Sequence, residues 1–250
     1  MTDRQAYLER KAEFERCLTI YGRKPVLEAL QSEELDCRRL HLADSNRTDG
    51  IIRDILRCAQ QRDIDVRYHD RKALSRISRN GKQDQGVALD VELPAYRPLE
   101  KCPRPARFIA LDGVTNPQNV GMIIRSVGAS PIDGLILPRK GCAALGPLVI
   151  KASAGSLFKT PIYHCDSIGS GLDWLRQEGF KVYGLDLKGR HNLLDMQTPD
   201  KAVFVLGNES EGLSEQSRSR IDESLLIPMN RDVESLNVAV TAALIAFMMG

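Results

Sequence analysis

The apolar run Val203-Phe204-Val205-Leu206 gives way to a polar stretch at Gly207-Asn208-Glu209, and we expect the rest of the chain to be organised around this point. The run is too short for a helix and rich in Val, so it predicts a buried strand that feeds a loop. A second apolar run, at residues 225–227, stops at Pro228, which cannot donate to a central ladder and marks a strand end. Ligands of open α/β sheets bind beyond the carboxyl ends of strands, so the two loops predict a pocket. There we expect Ser235 to cap a helix that starts near Leu236.

The composition allows a sizeable core and gives no direct sign of a partner. The chain has 250 residues, of which 42% are hydrophobic, a length that suits one large or two small domains. A net charge of +2 neither requires nor excludes nucleic acid, and an aromatic content of 5% does not indicate stacking platforms for single strands.

The cysteines and the N-terminus indicate the compartment. The six cysteines have no CxxC spacing and do not cluster with the four histidines, so neither a zinc site nor a disulfide framework is supported. The N-terminus lacks an apolar signal core, and its acidic residues Glu9, Glu13 and Glu15 argue against a transit peptide. No apolar run reaches the roughly 20 residues that span a bilayer. We therefore expect a cytoplasmic protein that needs no metal and no membrane.

Patterning predicts two domains of the α/β class. After a charged extension at 1–16, a first domain at 17–93 alternates strands at 18–21, 39–42, 65–68 and 87–91 with helices near 24–30, 50–60 and 71–77. The proline-rich stretch 94–106 predicts a linker. In the second domain, 107–250, strands at 108–111, 134–137, 182–185, 203–206 and 225–227 alternate with helices near 120–129, 167–178 and 236–249. This alternation predicts a mostly parallel sheet.

A polar turn follows the first strand of the second domain. Asn116-Pro117 is a turn signal, and a helix that starts near Asn119 places Gly121 and Arg125 one turn apart on one face. Arg125 offers a fork of donors suited to phosphate, although taken alone it is more typical of a surface arginine. The stretch is not the G-x-G-x-x-G turn of dinucleotide folds, which disfavours an NAD-linked oxidoreductase.

Three segments together carry a family resemblance. They are Asn116-Pro117-x-Asn119-x-Gly121-x-x-x-Arg125, then Leu206-Gly207-Asn208-Glu209-x-x-Gly212, then Ile227-Pro228-Met229 with Ser235-Leu236-Asn237-Val238. In this order and spacing they resemble the three motifs of the SpoU (TrmH) branch of the SPOUT RNA methyltransferases. Residues 21–30 and Gln85-Gly86-Val87-Ala88 resemble, more weakly, the L30e-like substrate-binding domain of members that act on ribosomal RNA. The pairing is most similar to the 23S rRNA guanosine-2′-O-methyltransferase type and favours rRNA over tRNA.

The resemblance implies a fold, a reaction and a set of site residues. The implied fold has a C-terminal trefoil knot, a rare exception to unknotted topology, and works as a homodimer. The implied reaction moves a methyl group from S-adenosyl-L-methionine to a ribose 2′-hydroxyl. The cofactor pocket would be lined by Leu206, Gly207, Ile227, Met229 and Leu236.

The polar motif residues would assist the transfer. Because a guanidinium stays protonated in proteins, we expect Arg125 to bind the adjacent phosphate and stabilise the developing alkoxide rather than act as a base. Asn119, Glu209, Ser235 and Asn237 would position the ribose, the arginine or the loops. Each also has a structural reading: Asn119 and Ser235 as helix caps, Glu209 as an acceptor for loop amides, and Asn237 as a first-turn helix residue.

Basic residues of the first domain are candidates for RNA contact. Arg71, Lys72, Arg76, Arg79 and Lys82 stand against one nearby acid, Asp70, and Arg23 and Lys24 follow Gly22. A solvated helix face explains any one of them equally well. The last helix is apolar nearly all round, so we expect it to be buried on most sides, and in the family it also contributes to the dimer. Two alternatives stay open: a tRNA methyltransferase, and a catalytically silent RNA-binding or ribosome-assembly protein.

Overall fold

The computed structural model describes residues 17–33, 35–92 and 97–250, and these form two compact units. The first unit contains the described residues up to 92 together with Gly146–Phe158. The second contains the described residues from 97 to Leu145 together with Lys159–Gly250. The predicted extension at 1–16 lies outside the described residues.

Strands and helices alternate along most of the chain. The strands are β1 Cys17–Tyr21, β2 Cys37–Ala43, β3 Asp65–His69, β4 Val87–Glu92, β5 Arg97–Pro98, β6 Ala106–Leu111, β7 Gly134–Pro138, β8 Ile162–Cys165, β9 Lys181–Leu185, β10 His191–Asn192, β11 Lys201–Leu206 and β12 Glu223–Leu226. The helices are α1 Arg23–Gln31, α2 Gly50–Gln61, α3 Arg71–Ser78, α4 Pro117–Gly128, α5 Pro147–Ala152, α6 Ile168–Gln177, α7 Glu215–Arg218 and α8 Val238–Met248.

The first unit is built on a four-stranded sheet in the order β1-β4-β2-β3. β4 runs antiparallel to β1 and β2, whereas β2 and β3 are parallel. Every strand and helix predicted between residues 18 and 91 is present, and the helices carry the apolar periodicity that predicted them. In α2, for example, Ile52, Ile55 and Ala59 recur at helical spacing and are buried.

Two side chains fix helix ends in this unit. The Arg62 guanidinium donates to the carbonyl oxygens of Leu30 at 3.0 Å and Ser32 at 2.8 Å, and so satisfies groups that the end of α1 leaves unpaired. Asp70 caps α3 by accepting from the amide of Ala73 at 2.8 Å.

One segment of the first unit comes from the middle of the chain. Gly146–Phe158, which contains α5, belongs to this unit, and α5 packs against β1. The ammonium of Lys151 donates to the side-chain oxygen of Gln83 at 3.2 Å. The sequence interpretation assigned this segment to the second domain, so the observed division of the chain is discontinuous.

The second unit contains an eight-stranded sheet in the order β10-β12-β9-β11-β6-β7-β8-β5. All seven pairings in it are parallel, which confirms the predicted mostly parallel sheet. In chain order, β6, β7 and β8 are added one after another towards one edge of the sheet. The chain then crosses over, and β9 lies on the other side of β11. The carboxyl ends of β6, β9, β11 and β12 therefore lie beside one another, at the place where α/β sheets bind ligands.

Two parts of the second unit differ from the prediction. Within the predicted linker 94–106, the described residues from 97 contain β5 and a short 3₁₀ turn at Leu99–Lys101, because Leu99 and Cys102 are apolar and enter the core. The last helix is also less buried than expected. Its buried residues are Val238, Ala239, Ala242, Ile245 and Ala246, whereas Val240, Phe247 and Met248 are 44%, 58% and 44% exposed.

The described residues carry free thiols, and neither a metal site nor a membrane-spanning helix is found among them. The cysteines Cys37, Cys58, Cys102, Cys142 and Cys165 are free thiols. No three or more histidine, cysteine or acidic side chains of the described chain are grouped in a way that suits a metal ion. Among the helices described, none combines the length and apolar character that crossing a bilayer requires.

Candidate functional site

A cavity of about 480 Å³ opens at the carboxyl ends of β9, β11 and β12. The five residues predicted to hold a cofactor all line it, although they come from three separate segments: Leu206, Gly207, Ile227, Met229 and Leu236. The structure thus brings together the two strand-end loops on which the pocket prediction rested.

The loop after β11 forms one wall of this cavity and is closed on itself. The backbones of Asn208 and Gly212 exchange two hydrogen bonds of 2.9 Å, and the Asn208 amide donates to the carbonyl oxygen of Gly113 at 2.8 Å. A Cβ atom on Gly207 would lie 2.3 Å from the carbonyl carbon of Gly212. Only glycine at position 207 lets the loop approach its own start so closely.

Three polar residues connect the three motif segments. The side-chain amide of Asn119 donates to the carboxylate of Glu209, and its oxygen accepts from the amide of Asn237 at 3.2 Å. Asn119 is buried at 8% exposure, while Glu209 and Asn237 line the cavity. The beginning of α4, the loop after β11 and the beginning of α8 are therefore joined by one hydrogen-bonded chain.

The helix caps differ from those predicted. The cap of α8 is Asn237, whose oxygen accepts from the amide of Ala239 at 2.8 Å, so the expectation that Ser235 caps this helix is wrong. The helix begins later because an asparagine, as good a cap as serine, stands directly before Val238. Ser235 is exposed and lines the cavity. α4 is capped by Asn116, which leaves the Asn119 side chain available for Glu209.

Arg125 stands apart from the cavity lining. It lies on α4 about 9 Å along the helix axis from Asn119, as follows from a rise of 1.5 Å per residue. Its side chain is exposed and forms no hydrogen bond or ion pair with any residue that the structure describes. The guanidinium is thus available to a ligand that approaches from outside the chain.

Three charged residues of the cavity escaped the sequence interpretation: Asp186, Lys188 and Arg218. Asp186 directly follows β9, and its carboxylate accepts from the guanidinium of Arg218 at 2.6 Å. The strand end was predicted at residue 185, so the rule that ligands bind at carboxyl ends would have found Asp186. No pattern pointed to Arg218, because it ends the four-residue helix α7.

The cavity suits an adenosine-sized ligand that has both apolar and polar parts. Its volume lies in the range of about 300 to 1,000 Å³ typical of small-molecule sites. Leu206, Ile227 and Met229 provide apolar surface, and the carboxylates of Asp186 and Glu209 provide negative charge. The pKa of Asp186 lies below its usual range, mainly because its carboxylate accepts a hydrogen bond from the Lys188 amide. Burial acts in the opposite direction, and the hydrogen bond from the Arg218 guanidinium lowers the pKa further.

The RNA-contact candidates of the first unit fall into two groups. Arg23 is bound within the unit, since it donates to the carbonyl oxygen of Gln85 at 3.3 Å and to the side chain of Asn46 at 3.2 Å. The others are exposed: Lys24, Arg71, Lys72, Arg76, Arg79 and Lys82. The structure therefore gives Arg23 a part in holding a loop and leaves the others open to solvent.

Known proteins resemble this chain over both units. Residues 106–247 match the SpoU rRNA Methylase family, and residues 19–97 match the family described as RNA 2'-O ribose methyltransferase substrate binding. A Mycobacterium avium protein named as an uncharacterized tRNA/rRNA methyltransferase is 32% identical over 91% of this chain and 75% of its own length. The 23S rRNA (guanosine-2'-O-)-methyltransferase RlmB of Neisseria meningitidis is 29% identical over 90% of this chain and 92% of its own length. The SpoU methyltransferase AviRb from Streptomyces viridochromogenes, solved with the cofactor AdoMet, is 26% identical and has a TM-score of 0.80 over 95% of this chain and 90% of that chain.

Proposed function

The chain belongs to the SpoU rRNA Methylase family, and on this premise we propose that it methylates a ribose 2′-hydroxyl of ribosomal RNA with S-adenosylmethionine as cofactor. The observation that carries the proposal is the hydrogen-bonded chain of Glu209, Asn119 and Asn237 beside an adenosine-sized cavity. It holds the three motif segments in one place, and an enzyme that displaces a group from a bound cofactor needs such fixed positions.

Five residues would hold the cofactor: Leu206, Gly207, Ile227, Met229 and Leu236. The apolar side chains of Leu206, Ile227, Met229 and Leu236 would cover a flat base, and Gly207 would let the base approach the backbone closely. When bound, S-adenosylmethionine supplies a methyl group already activated by its sulfonium. The residues of this chain would orient the hydroxyl and stabilise the negative charge that develops on its oxygen as its proton leaves to water.

We assign the electrostatic part of the transfer to Arg125. A guanidinium is a permanent cation with donors in a fixed fork, and that of Arg125 has no partner among the described residues. It would bind the phosphate next to the target ribose and stabilise the negative charge that develops on the hydroxyl oxygen as the hydroxyl releases its proton to solvent water. Asn119, Glu209, Ser235 and Asn237 would position the ribose and the loops.

We propose that the first unit binds the RNA substrate. Its match to a substrate-binding family and the exposed cations Lys24, Arg71 and Arg79 support this role, because cations that contact phosphates provide most of the affinity for RNA. The resemblance to an rRNA methyltransferase over 90% of the chain supports rRNA over tRNA. An L30e-like fold for this unit and a cytoplasmic location, where ribosomal RNA is found, belong to the same proposal.

We further propose a trefoil knot in the second unit and assembly as a homodimer. The dimer is supported by the apolar side chains that α4 and α8 leave exposed, namely Met122, Val240, Phe247 and Met248, at 44% to 58% exposure. The two helices pack on each other, so their outer faces offer one apolar surface to a second copy. Burial of such a surface favours association.

Methyl transfer to defined RNAs tests the function. The purified protein would be incubated with methyl-labelled S-adenosylmethionine and either a 23S rRNA transcript or unmodified tRNA, and digested nucleosides would be analysed by mass spectrometry. We expect 2′-O-methylated nucleoside from the rRNA alone, and an Asn119→Asp variant should give little. Methylation of tRNA alone would replace rRNA by tRNA as the substrate. Cofactor binding without transfer to either RNA would favour the silent RNA-binding alternative.

A further inference from the structure

Asp186 is one of the residues that line the cavity. It directly follows β9, which pairs with β11 on one side and β12 on the other. Its backbone amide donates to the carbonyl oxygen of Leu225 at 3.0 Å. Asp186 therefore lies between the strand ends that lead to Gly207 and to Ile227, two of the residues assigned to the cofactor.

The carboxylate of Asp186 is held in one orientation. One oxygen accepts from the backbone amide of Lys188 at 2.9 Å, and the other accepts from Arg218 at 2.6 Å. Arg218 is itself fixed, because its Nε donates to the carbonyl oxygen of Leu213 at 3.0 Å. The Asp186 side chain is 21% exposed, so it is partly desolvated and still reachable from the cavity.

Such a carboxylate selects its ligand by chemistry. An ionised carboxylate only accepts hydrogen bonds, and two oxygens offer about four acceptor positions, of which Lys188 and Arg218 use two. The α-carboxylate of an amino acid would be repelled, whereas a pair of neighbouring hydroxyls matches the remaining positions. In dinucleotide-binding folds an acidic residue at a strand end accepts from a ribose hydroxyl in this way.

We propose that Asp186 accepts hydrogen bonds from the ribose hydroxyls of S-adenosylmethionine, and that Arg218 and the Lys188 amide position it for this contact. The inference rests on the proposed cofactor site and adds a residue that discriminates a ribose from a deoxyribose. The competing explanation is purely structural: the ion pair only ties α7 to the loop after β9.

Ligands that lack one hydroxyl separate the two explanations. S-adenosylhomocysteine and its 2′-deoxy and 3′-deoxy forms would be titrated calorimetrically into the wild-type protein, Asp186→Ala and Asp222→Ala. Asp222 is a matched control, because its carboxylate also accepts from a backbone amide, that of Val182 at 2.9 Å, and pairs with Arg176 at 3.1 Å, yet it does not line the cavity. Thermal melting of each unliganded variant would verify that it is folded.

We expect the wild type to bind S-adenosylhomocysteine at least about tenfold more tightly than one of the deoxy forms, as fits a hydrogen bond to a charged group. In Asp186→Ala this preference should disappear, through weaker binding of the full ligand and unchanged binding of that deoxy form. Asp222→Ala should keep the preference. An equal loss for all three ligands in a folded Asp186→Ala, or no loss at all, would overturn the proposal. Failure of the wild type to bind either S-adenosylmethionine or S-adenosylhomocysteine would overturn the cofactor assignment itself.

Discussion

The side-chain amide of Asn237 donates a hydrogen bond of 3.2 Å to the side-chain oxygen of Asn119, although the two residues are 118 positions apart in the chain. The side-chain amide of Asn119 in turn donates a hydrogen bond to the carboxylate of Glu209. An asparagine at position 119 is required because it must donate on one side and accept on the other.

An Asn119→Asp substitution should therefore disrupt the site. The new carboxylate faces that of Glu209, with no donor between them, and like charges at this distance repel. We expect methyl transfer to fall at least about tenfold and the melting temperature to decrease. The double variant Asn119→Asp, Glu209→Gln restores an acid–amide pair and should recover part of the stability. Glu215→Gln, at an exposed position, serves as the control; a double variant no more stable than the single would contradict the pairing.

An Arg125→Ala substitution should abolish methyl transfer and leave the affinity for S-adenosylmethionine nearly intact. The reason is that Arg125 is exposed and outside the cavity lining. Single-turnover assays and calorimetry measure the two quantities. Arg125→Lys keeps the charge but loses the fork of donors, so its rate should fall between those of the wild type and Arg125→Ala. Equal losses of transfer and affinity would show that Arg125 holds the cofactor instead.

A Phe247→Glu substitution should turn the proposed dimer into a monomer. The side chain is 58% exposed on α8, and a charge placed in an apolar interface would have to be desolvated. Light scattering at micromolar concentration reports the mass. Leu194→Glu changes a side chain that is 53% exposed on a different element, so this variant should stay dimeric. A wild-type protein that is monomeric in the same measurement would rule out the dimer.

His164 on β8 should make folding stability fall at mildly acidic pH. Burial, with a smaller effect of Arg139, lowers the pKa of His164 from 6.5 to about 4. Between these values the unfolded chain binds a proton that the folded protein does not, so stability is full above pH 6.5 and decreases towards about 4. Urea unfolding of the wild type and His164→Asn over this range would measure the effect. The variant should lose less stability on acidification; parallel curves would contradict the assignment.

The fold was predictable wherever one element carries its own signal. β11 is apolar from Ala202 to Leu206, and α6 opens with a serine cap, so both could be located within a few residues. β5 and β10, with two residues each, are too short to show a period, and tertiary pairing alone defines them. The placement of α5 with the first unit depends on a contact with β1 that no local pattern encodes.

The cavity was predictable for a different reason. Strand ends in a parallel sheet lie together, so Leu206 and Ile227 could be expected in one pocket before any distance was known. Which polar side chains meet there depends on rotamers and on loop closure. Asn119 could not be distinguished from a cap by the sequence, and Arg218 reaches Asp186 from a helix of four residues.

The position of α5 has a consequence for the order in which the protein can mature. Because Gly146–Phe158 belongs to the first unit, the ribosome must synthesise β6, α4 and β7 before the piece that packs on β1 exists. The first unit cannot be completed until Gly146–Phe158 has been synthesised, so its folding overlaps in time with that of the second unit. A fragment that ends between the two units would lack this segment and would leave β1 without the helix that packs on it. Neither such a fragment nor its deletion from the chain therefore corresponds to the complete first unit.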